Sequence, residues 1–291
     1  MNATGAYRRV AANGLDFEVF EAGAGDRLAL LLHGFPEHAI AWQHQIDPLV
    51  ALGYRVWAPN LRGYGRTTRP TDVSAYRLAH LVADVGALID ASGARSVVLV
   101  GHDWGAVVAW FFAIRAPHRI ERLAILNVPH PAIFLDVIAR SWRQRLRSWY
   151  TLAFQIPGLA ERVLGARDGR GIVRLFTRSV CDPNAFTAVE LETYRAQAAE
   201  PGALTAMLNW YRAAARGGLV EAMALGTHVS VPTLLLWGEE DVALGKETTY
   251  GTERYVPNLR IVYLPGVSHW VAQEAPARVN AVLVEFLRGE G

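Results

Sequence analysis

The sequence predicts an α/β protein in which a mainly parallel sheet flanked by helices is interrupted once by an all-helical insertion. Three observations carry this. Short apolar runs alternate with longer segments of helical spacing in the first and last parts of the chain. The central runs are apolar at nearly every position rather than every second one, as in strands buried on both faces. Between about residues 129 and 218 the strand pattern gives way to aromatic and apolar residues at helical spacing. With 291 residues, 52% of them hydrophobic, the chain is long enough to bury a large core.

Residues 15–21 alternate Leu15, Phe17 and Val19 with Asp16 and Glu18, the pattern of a half-exposed strand. Residues 28–32 and 97–100 are near-continuous apolar runs bounded by turn residues, and residues 55–58 and 122–126 read as further strands. Residues 76–91 and 105–116 carry helical spacing, and Pro117 stops the second. The insertion is punctuated at Pro157-Gly158, at residues 169–171, at Pro183 and at Pro201-Gly202. Strands then resume at residues 233–237 and 260–264, and residues 275–288 form a last helix. The expected organisation is a core of residues 1–128 and 219–291 with a cap of residues 129–218.

Charge and composition exclude several classes. Twenty-nine Lys and Arg against 27 Asp and Glu leave +2, too small and too dispersed for a nucleic-acid partner despite a pI near 8.8. The densest basic stretch, Arg140, Arg143, Arg145 and Arg147, is interleaved with Trp142, Leu146 and Trp149 and reads as one amphipathic helix with a solvated face. The single cysteine, Cys181, allows no intrachain disulfide, which suits a reducing cytoplasm. The opening MNATGAYRRV has no apolar h-region, and the longest apolar run, residues 106–114, falls short of the roughly 18 a membrane span needs. A cytoplasmic protein without a membrane partner is expected. No metal-type Cys/His cluster or dinucleotide-type glycine pattern occurs, so neither metal nor organic cofactor is expected. The nine histidines are scattered and expected mostly in loops or on the surface.

The strongest chemical signal is Gly101-His102-Asp103-Trp104-Gly105, which follows an apolar run and opens a helix. A nucleophile between two glycines at a strand-to-helix turn projects above the sheet, because the glycines relieve the crowding of a strained backbone. An aspartate with a reference pKa of about 3.9 is already ionised at pH 7 and needs no base. A carboxylate suits displacement at a saturated carbon, giving an alkyl–enzyme ester, better than amide or ester cleavage. The turn His33-Gly34-Phe35-Pro36 after residues 28–32 is placed to lend the Phe35 N–H to an oxyanion hole, with the Trp104 N–H as the second donor. His269 in Gly266-Val267-Ser268-His269-Trp270 is placed to activate water. Of the acids in Trp237-Gly238-Glu239-Glu240-Asp241, Asp241 is favoured to orient His269; Asn127, after the preceding strand, offers no carboxylate.

These motifs, His33–Glu37 (HGFPE), Arg62–Gly65 (RGYG), Gly101–Gly105 (GHDWG), Trp237–Asp241 (WGEED) and Ser268–Trp270 (SHW), resemble those of the capped epoxide hydrolase family along nearly the whole chain. The resemblance implies the α/β-hydrolase fold with a mainly parallel eight-stranded sheet. It also implies Asp103 as nucleophile, Asp241 as acid and His269 as base, with His33, Glu37 and His102 as supporting residues, the latter two beside the hydrolytic water. The segments around Tyr150 and Tyr211 resemble the family's two cap-tyrosine segments.

Epoxide opening creates an alkoxide, which needs a proton donor or strong hydrogen bonds, and phenols with pKa about 10 suit this. A halide leaves without a proton and needs N–H donors instead, so Trp104 keeps a haloalkane or haloacid dehalogenase as the alternative. Haloalkane dehalogenases commonly carry Asn where this chain has Phe35. Fluoroacetate dehalogenases share HGFP but carry Arg where this chain has Trp104. A non-catalytic receptor on the same fold would be expected to break the triad, and all three positions here are chemically competent. The expected partners are a small apolar epoxide and water, and a homodimer is left open.

Overall fold

The computed structural model describes residues 5–218, 223, 224 and 226–289. One sheet holds eight strands: β1 (Gly5–Ala12), β2 (Leu15–Ala22), β3 (Arg27–Leu32), β4 (Arg55–Pro59), β5 (Ser96–His102), β6 (Arg122–Leu126), β7 (Thr233–Gly238) and β8 (Leu259–Leu264). Their order is β1-β2-β4-β3-β5-β6-β7-β8. β3 to β8 are parallel, and β1 and β2 join antiparallel at one edge. The helices that position the site are α1 (Gln43–Ala51), α2 (Leu78–Ser92) and α3 (Trp104–Arg115). Between β6 and β7 come α4 (Pro131–Arg140), α5 (Trp142–Arg147), α6 (Tyr150–Ala153), α7 (Leu159–Ser179), α8 (Ala188–Ala199) and α9 (Ala203–Ala213). α10 (Val271–Glu274) and α11 (Pro276–Arg288) follow β8.

β3 shows why the central strands lack alternation. Leu28, Leu30 and Leu32 join one core with α2 and α3, whereas Ala29 and Leu31 join the opposite core with α1 and α11. Successive side chains point to opposite faces, and here both faces are covered. Each fully buried leucine contributes about 2 kcal/mol of transfer free energy.

β1 has no counterpart among the strands expected from the sequence. Its side chains are mostly exposed, so its apolar pattern is weak. Its signal is Asn13-Gly14, both at positive φ (47° and 73°), which joins β1 to β2 through the two-residue turn that favours this pair.

The insertion is helical among its described residues, and the expected boundary at 218/219 borders residues outside the described set. The basic stretch is not one amphipathic helix. It breaks at Ser141, whose hydroxyl accepts from the Gln144 N–H and opens α5. α5 then turns Gln144 inward, where its amide donates to the Ala243 carbonyl (2.8 Å) and accepts from the Gly245 N–H (3.0 Å). A buried amide, not an apolar face, ties this turn to the core, and Trp142, Leu146 and Trp149 are left exposed. The histidines follow expectation, since His44, His80, His118 and His228 are exposed and His33, His38, His130 and His269 lie in loops, though these four and the strand residue His102 are buried. Among the described residues no helix is long and apolar enough to cross a membrane, and no group of His, Cys, Asp and Glu could hold a metal ion.

Candidate active site

The loops at the carboxyl ends of β3, β5, β6, β7 and β8 meet on one rim of the sheet, the crevice where open α/β sheets place ligands. They carry Phe35, Asp103, Asn127, Asp241 and His269 in turn. The cap helices close over this rim.

Asp103 sits between β5 and α3 at φ 46° and ψ −123°, backbone that a non-glycine residue holds at a cost of about 1–3 kcal/mol. Its neighbours explain how the turn fits. A Cβ on Gly105 would lie 2.1 Å from the Leu32 carbonyl oxygen, and one on Gly101 would lie 2.7 Å from the Ala106 Cα. Only glycine lets α3 fold back this closely on β3 and β5. Gly34 is equally constrained, since a Cβ there would meet the Asp103 side chain at 2.3 Å.

The Phe35 N–H donates to Asp103 Oδ1 at 2.7 Å, and His269 Nε2 lies 3.6 Å from Asp103 Oδ2. His269 Nδ1 bonds Asp241 Oδ2 at 2.6 Å. Asp241 also accepts from Asn127 Nδ2 (2.9 Å) and from the Ala243 and Leu244 N–H groups (2.8 and 2.9 Å). Nothing in the sequence marks Asn127, Ala243 and Leu244 as partners of Asp241, because they meet it only when β6 pairs with β7 and the chain turns after Asp241. Trp104 opens α3, where first-turn N–H groups lack helical partners.

Burial pushes both carboxyls upward. For Asp103 this is outweighed by His269, His102 and the Phe35 N–H; for Asp241 it is outweighed by His269, Asn127 and the Leu244 N–H. Both end below the usual aspartate value and are ionised at neutral pH. Burial opposes charging of His269, but Asp241 and Asp103 on either side hold its pKa well above the usual histidine value.

Behind the triad, the buried Glu37 accepts from the Gly34 N–H (3.2 Å), Gln273 Nε2 (2.7 Å) and His102 Nδ1 (2.7 Å), while His102 Nε2 donates to the His269 carbonyl (2.9 Å). Burial raises the Glu37 pKa, and the charge and hydrogen bond of His102 bring it below its ordinary value. His33 is turned elsewhere. Nδ1 donates to the Gly34 carbonyl and Nε2 accepts from the Leu61 N–H, which fixes a neutral tautomer. Burial pushes its pKa down to about 4.

The cap supplies Tyr150, the first residue of α6, and Tyr211 on α9, with ring centres 6.2 Å apart. Tyr211 packs edge-on against Phe35, Trp104 and Phe154 at 4.9–5.3 Å. Two cavities of about 420 and 310 Å³ meet at Asp103, Tyr150, Tyr211 and Leu244, and the larger also reaches His269. Burial first, and the Asp103 charge second, raise both phenols above their usual pKa and keep them protonated. Asp103, His269, Tyr150, Tyr211, Phe35 and Trp104 therefore border one space. Asp241, Glu37 and His102 stand behind it, and His33 holds the β3 loop.

Comparison with known proteins identifies the fold and the family. A family model described as alpha/beta hydrolase fold matches residues 30–276. The chain is 38% identical to the AB hydrolase superfamily protein YfhM of Bacillus subtilis, with 97% of each chain covered. It is also 38% identical to epoxide hydrolase 4 of Mus musculus, covering 99% of this chain and 80% of that protein. The crystal structure of epoxide hydrolase A from Mycobacterium thermoresistibile superposes with a TM-score of 0.84 at 34% identity, over 98% of this chain and 99% of that one. With the strand order, the strained aspartate and the capped crevice all in place, the chain belongs to the epoxide hydrolase family of the α/β-hydrolase fold.

Proposed function

We infer that the protein hydrolyses apolar epoxides to vicinal diols in two steps, through an ester on Asp103. The observation that carries this reading is the shared wall. Asp103, Tyr150 and Tyr211 line both cavities, so an electrophile held between the phenols faces the carboxylate. Phe35, Phe154, Leu164 and Trp270 line the larger cavity, and Val107, Val128 and Phe134 line the smaller, so apolar substituents fit on either side. In the first step Asp103 attacks a ring carbon, the C–O bond breaks, and the tyrosines donate to the developing alkoxide. No charged group must be stripped of a proton beforehand, since Asp103 is ionised and the phenols are neutral.

In the second step His269, oriented by Asp241, takes a proton from water, which attacks the ester carbonyl carbon of Asp103. The Phe35 and Trp104 N–H groups stabilise the resulting oxyanion. The oxyanion collapses with cleavage of the ester C–O bond, the leaving diol oxygen taking the proton from His269 and the Asp103 carboxylate being restored. A histidine must be neutral to act as this base. Esterification removes the Asp103 charge, one of the two carboxylates that raise the His269 pKa, so alkylation itself favours the neutral imidazole. Glu37 and His102 hold the loop that carries His269, through the His269 carbonyl. The side chain of Phe35 has no N–H to offer a halide, which leaves the dehalogenase alternative without a second donor there.

Replacing the base separates the steps. His269→Gln should alkylate with styrene oxide and stop, leaving an adduct on Asp103 detectable by mass spectrometry of the proteolysed protein. Turnover at the wild-type rate would sink the two-step scheme.

A further inference from the structure

An apolar stripe on the cap plays no part in the chemistry above. Trp142 and Leu146 on α5, Trp149 after it, Leu152 on α6 and Ile156 beyond follow at intervals of three or four residues, so each neighbours the next on one winding face. Every one is more than half exposed, Trp142 at 65% and Leu152 at 75% among them. Large exposed apolar side chains gathered in this way mark an interaction surface.

The stripe runs to the cavity mouths. Trp149 lines the larger cavity beside the exposed Leu159, Val163 and Val242, and Leu152 lines the smaller. The same segment is basic. Arg140, Arg143, Arg145 and Arg147 are all exposed, and residues 137–160 contain no Asp or Glu. Arg140 pairs with Asp136 on its own helix, and Arg145 donates to the Ile138 and Ala139 carbonyls at the end of α4. Arg143 and Arg147 form no ion pair among the described residues, and Arg143 lies 5.7 Å from the Trp142 ring centre. Of the acids nearby, Glu161 is paired with Arg212 and Glu239 with Lys246, Glu240 is exposed, and the Glu247 carboxylate and the Arg147 guanidinium both lie beside Gly245.

Tryptophan and aliphatic side chains flanked by four exposed arginines, in a segment with no acid of its own between residues 137 and 160, match the chemistry of an anionic lipid surface, where indoles sit at headgroup depth and basic groups meet phosphates. A second copy of the chain fits less well. A two-fold contact would set the arginine-rich segment, which has no Asp or Glu between residues 137 and 160, against itself. We propose that this face of the cap docks on an anionic bilayer, with Trp142 and Trp149 in the headgroup layer and the cavity mouths opening toward the lipid. Docking of this kind lies on the membrane and needs no spanning helix. It also gives the site direct access to apolar epoxides dissolved in the lipid, a consequence that rests on the function inferred above, whereas the binding itself does not.

Co-sedimentation tests the binding. The protein is spun with vesicles of phosphatidylcholine alone and of phosphatidylcholine mixed with phosphatidylglycerol, at low and high salt. Binding to the mixed vesicles that weakens with salt is expected. Arg143→Glu with Arg147→Glu, and separately Trp142→Gln with Leu146→Gln, should each lower it about tenfold or more. None of these four residues lines a cavity, so styrene oxide turnover in vesicle-free buffer should stay at the wild-type level. No sedimentation with the anionic vesicles, or equal sedimentation by the variants, overturns the proposal. A dimer in analytical ultracentrifugation that Trp142→Gln with Leu146→Gln dissolves, without vesicle binding, assigns the face to a second copy and overturns it as well. These readouts need no turnover, so loss of hydrolysis and loss of docking are told apart.

Discussion

Core and cap hold their parts of the site by different means. In the core, Asp103, Asp241 and His269 are each fixed by hydrogen bonds from backbone N–H groups, Asn127 or one another, at the ends of strands buried on both faces. In the cap, Tyr150 and Tyr211 are held by edge-on ring contacts with Phe154, Phe35 and Trp104. Hydrogen-bonded groups on a rigid sheet have one geometry, whereas aromatic contacts worth about 1 kcal/mol each tolerate repacking. On the proposed mechanism the core sets what attacks, and the cap sets what can be attacked. Surface character divides the same way. Of the large hydrophobic side chains left exposed among the described residues, all but Tyr7, Val242 and Tyr250 belong to the insertion.

This division can be broken most severely at Asp103, the proposed nucleophile. Asp103→Ala should remove turnover of every electrophile, epoxide or halide, as read by diol and halide release, because among the described residues no second carboxylate faces the cavities. Next in size, Tyr150→Phe with Tyr211→Phe should slow epoxide opening by about 10²–10³-fold, the usual loss for a donor to developing negative charge. It should spare halide displacement, since a halide leaves without a proton. Full epoxide activity in that double variant would take the cap out of the chemistry.

The pH dependence sharpens the comparison more gently. Alkylation needs ionised Asp103, whose pKa is lowered, so it should persist into acid. Ester hydrolysis needs neutral His269, whose pKa Asp241 continues to raise after the Asp103 charge is esterified, so it should slow as pH falls. The alkyl-enzyme should therefore accumulate on acidification and vanish as pH rises, which quenched-flow mass spectrometry can follow. The smallest effect is expected within the cap. Glu161→Gln weakens the two-point ion pair from α7 to the buried Arg212 on α9 and should cost about 1.5–3 kcal/mol in denaturant unfolding. Activity should be almost unchanged.

Much of the core was legible because its signals are local. Buried strands announce themselves as unbroken apolar runs, and the Gly101-to-Gly105 elbow is a contiguous motif whose spacing reflects steric need. β1 was harder, since an exposed edge strand leaves little apolar pattern and only Asn13-Gly14 marks it. The basic stretch misled for a related reason. Its helical period is real, but Gln144, not the aromatic face, turns inward, because the acceptors and donors of residues 243–245 lie beside it in the fold.

The sequence by itself determined the class of sheet, the strained turn at Asp103 and the chemistry a free carboxylate there implies, because each depends on residues adjacent in the chain or on side-chain type alone. Tertiary structure decided what reaches that carboxylate. The Asn127 support of Asp241, the meeting of two cavities under Tyr150 and Tyr211, and the exposure of Trp142 and Trp149 all depend on segments far apart in sequence. Their contacts arise only when the sheet and the cap pack together.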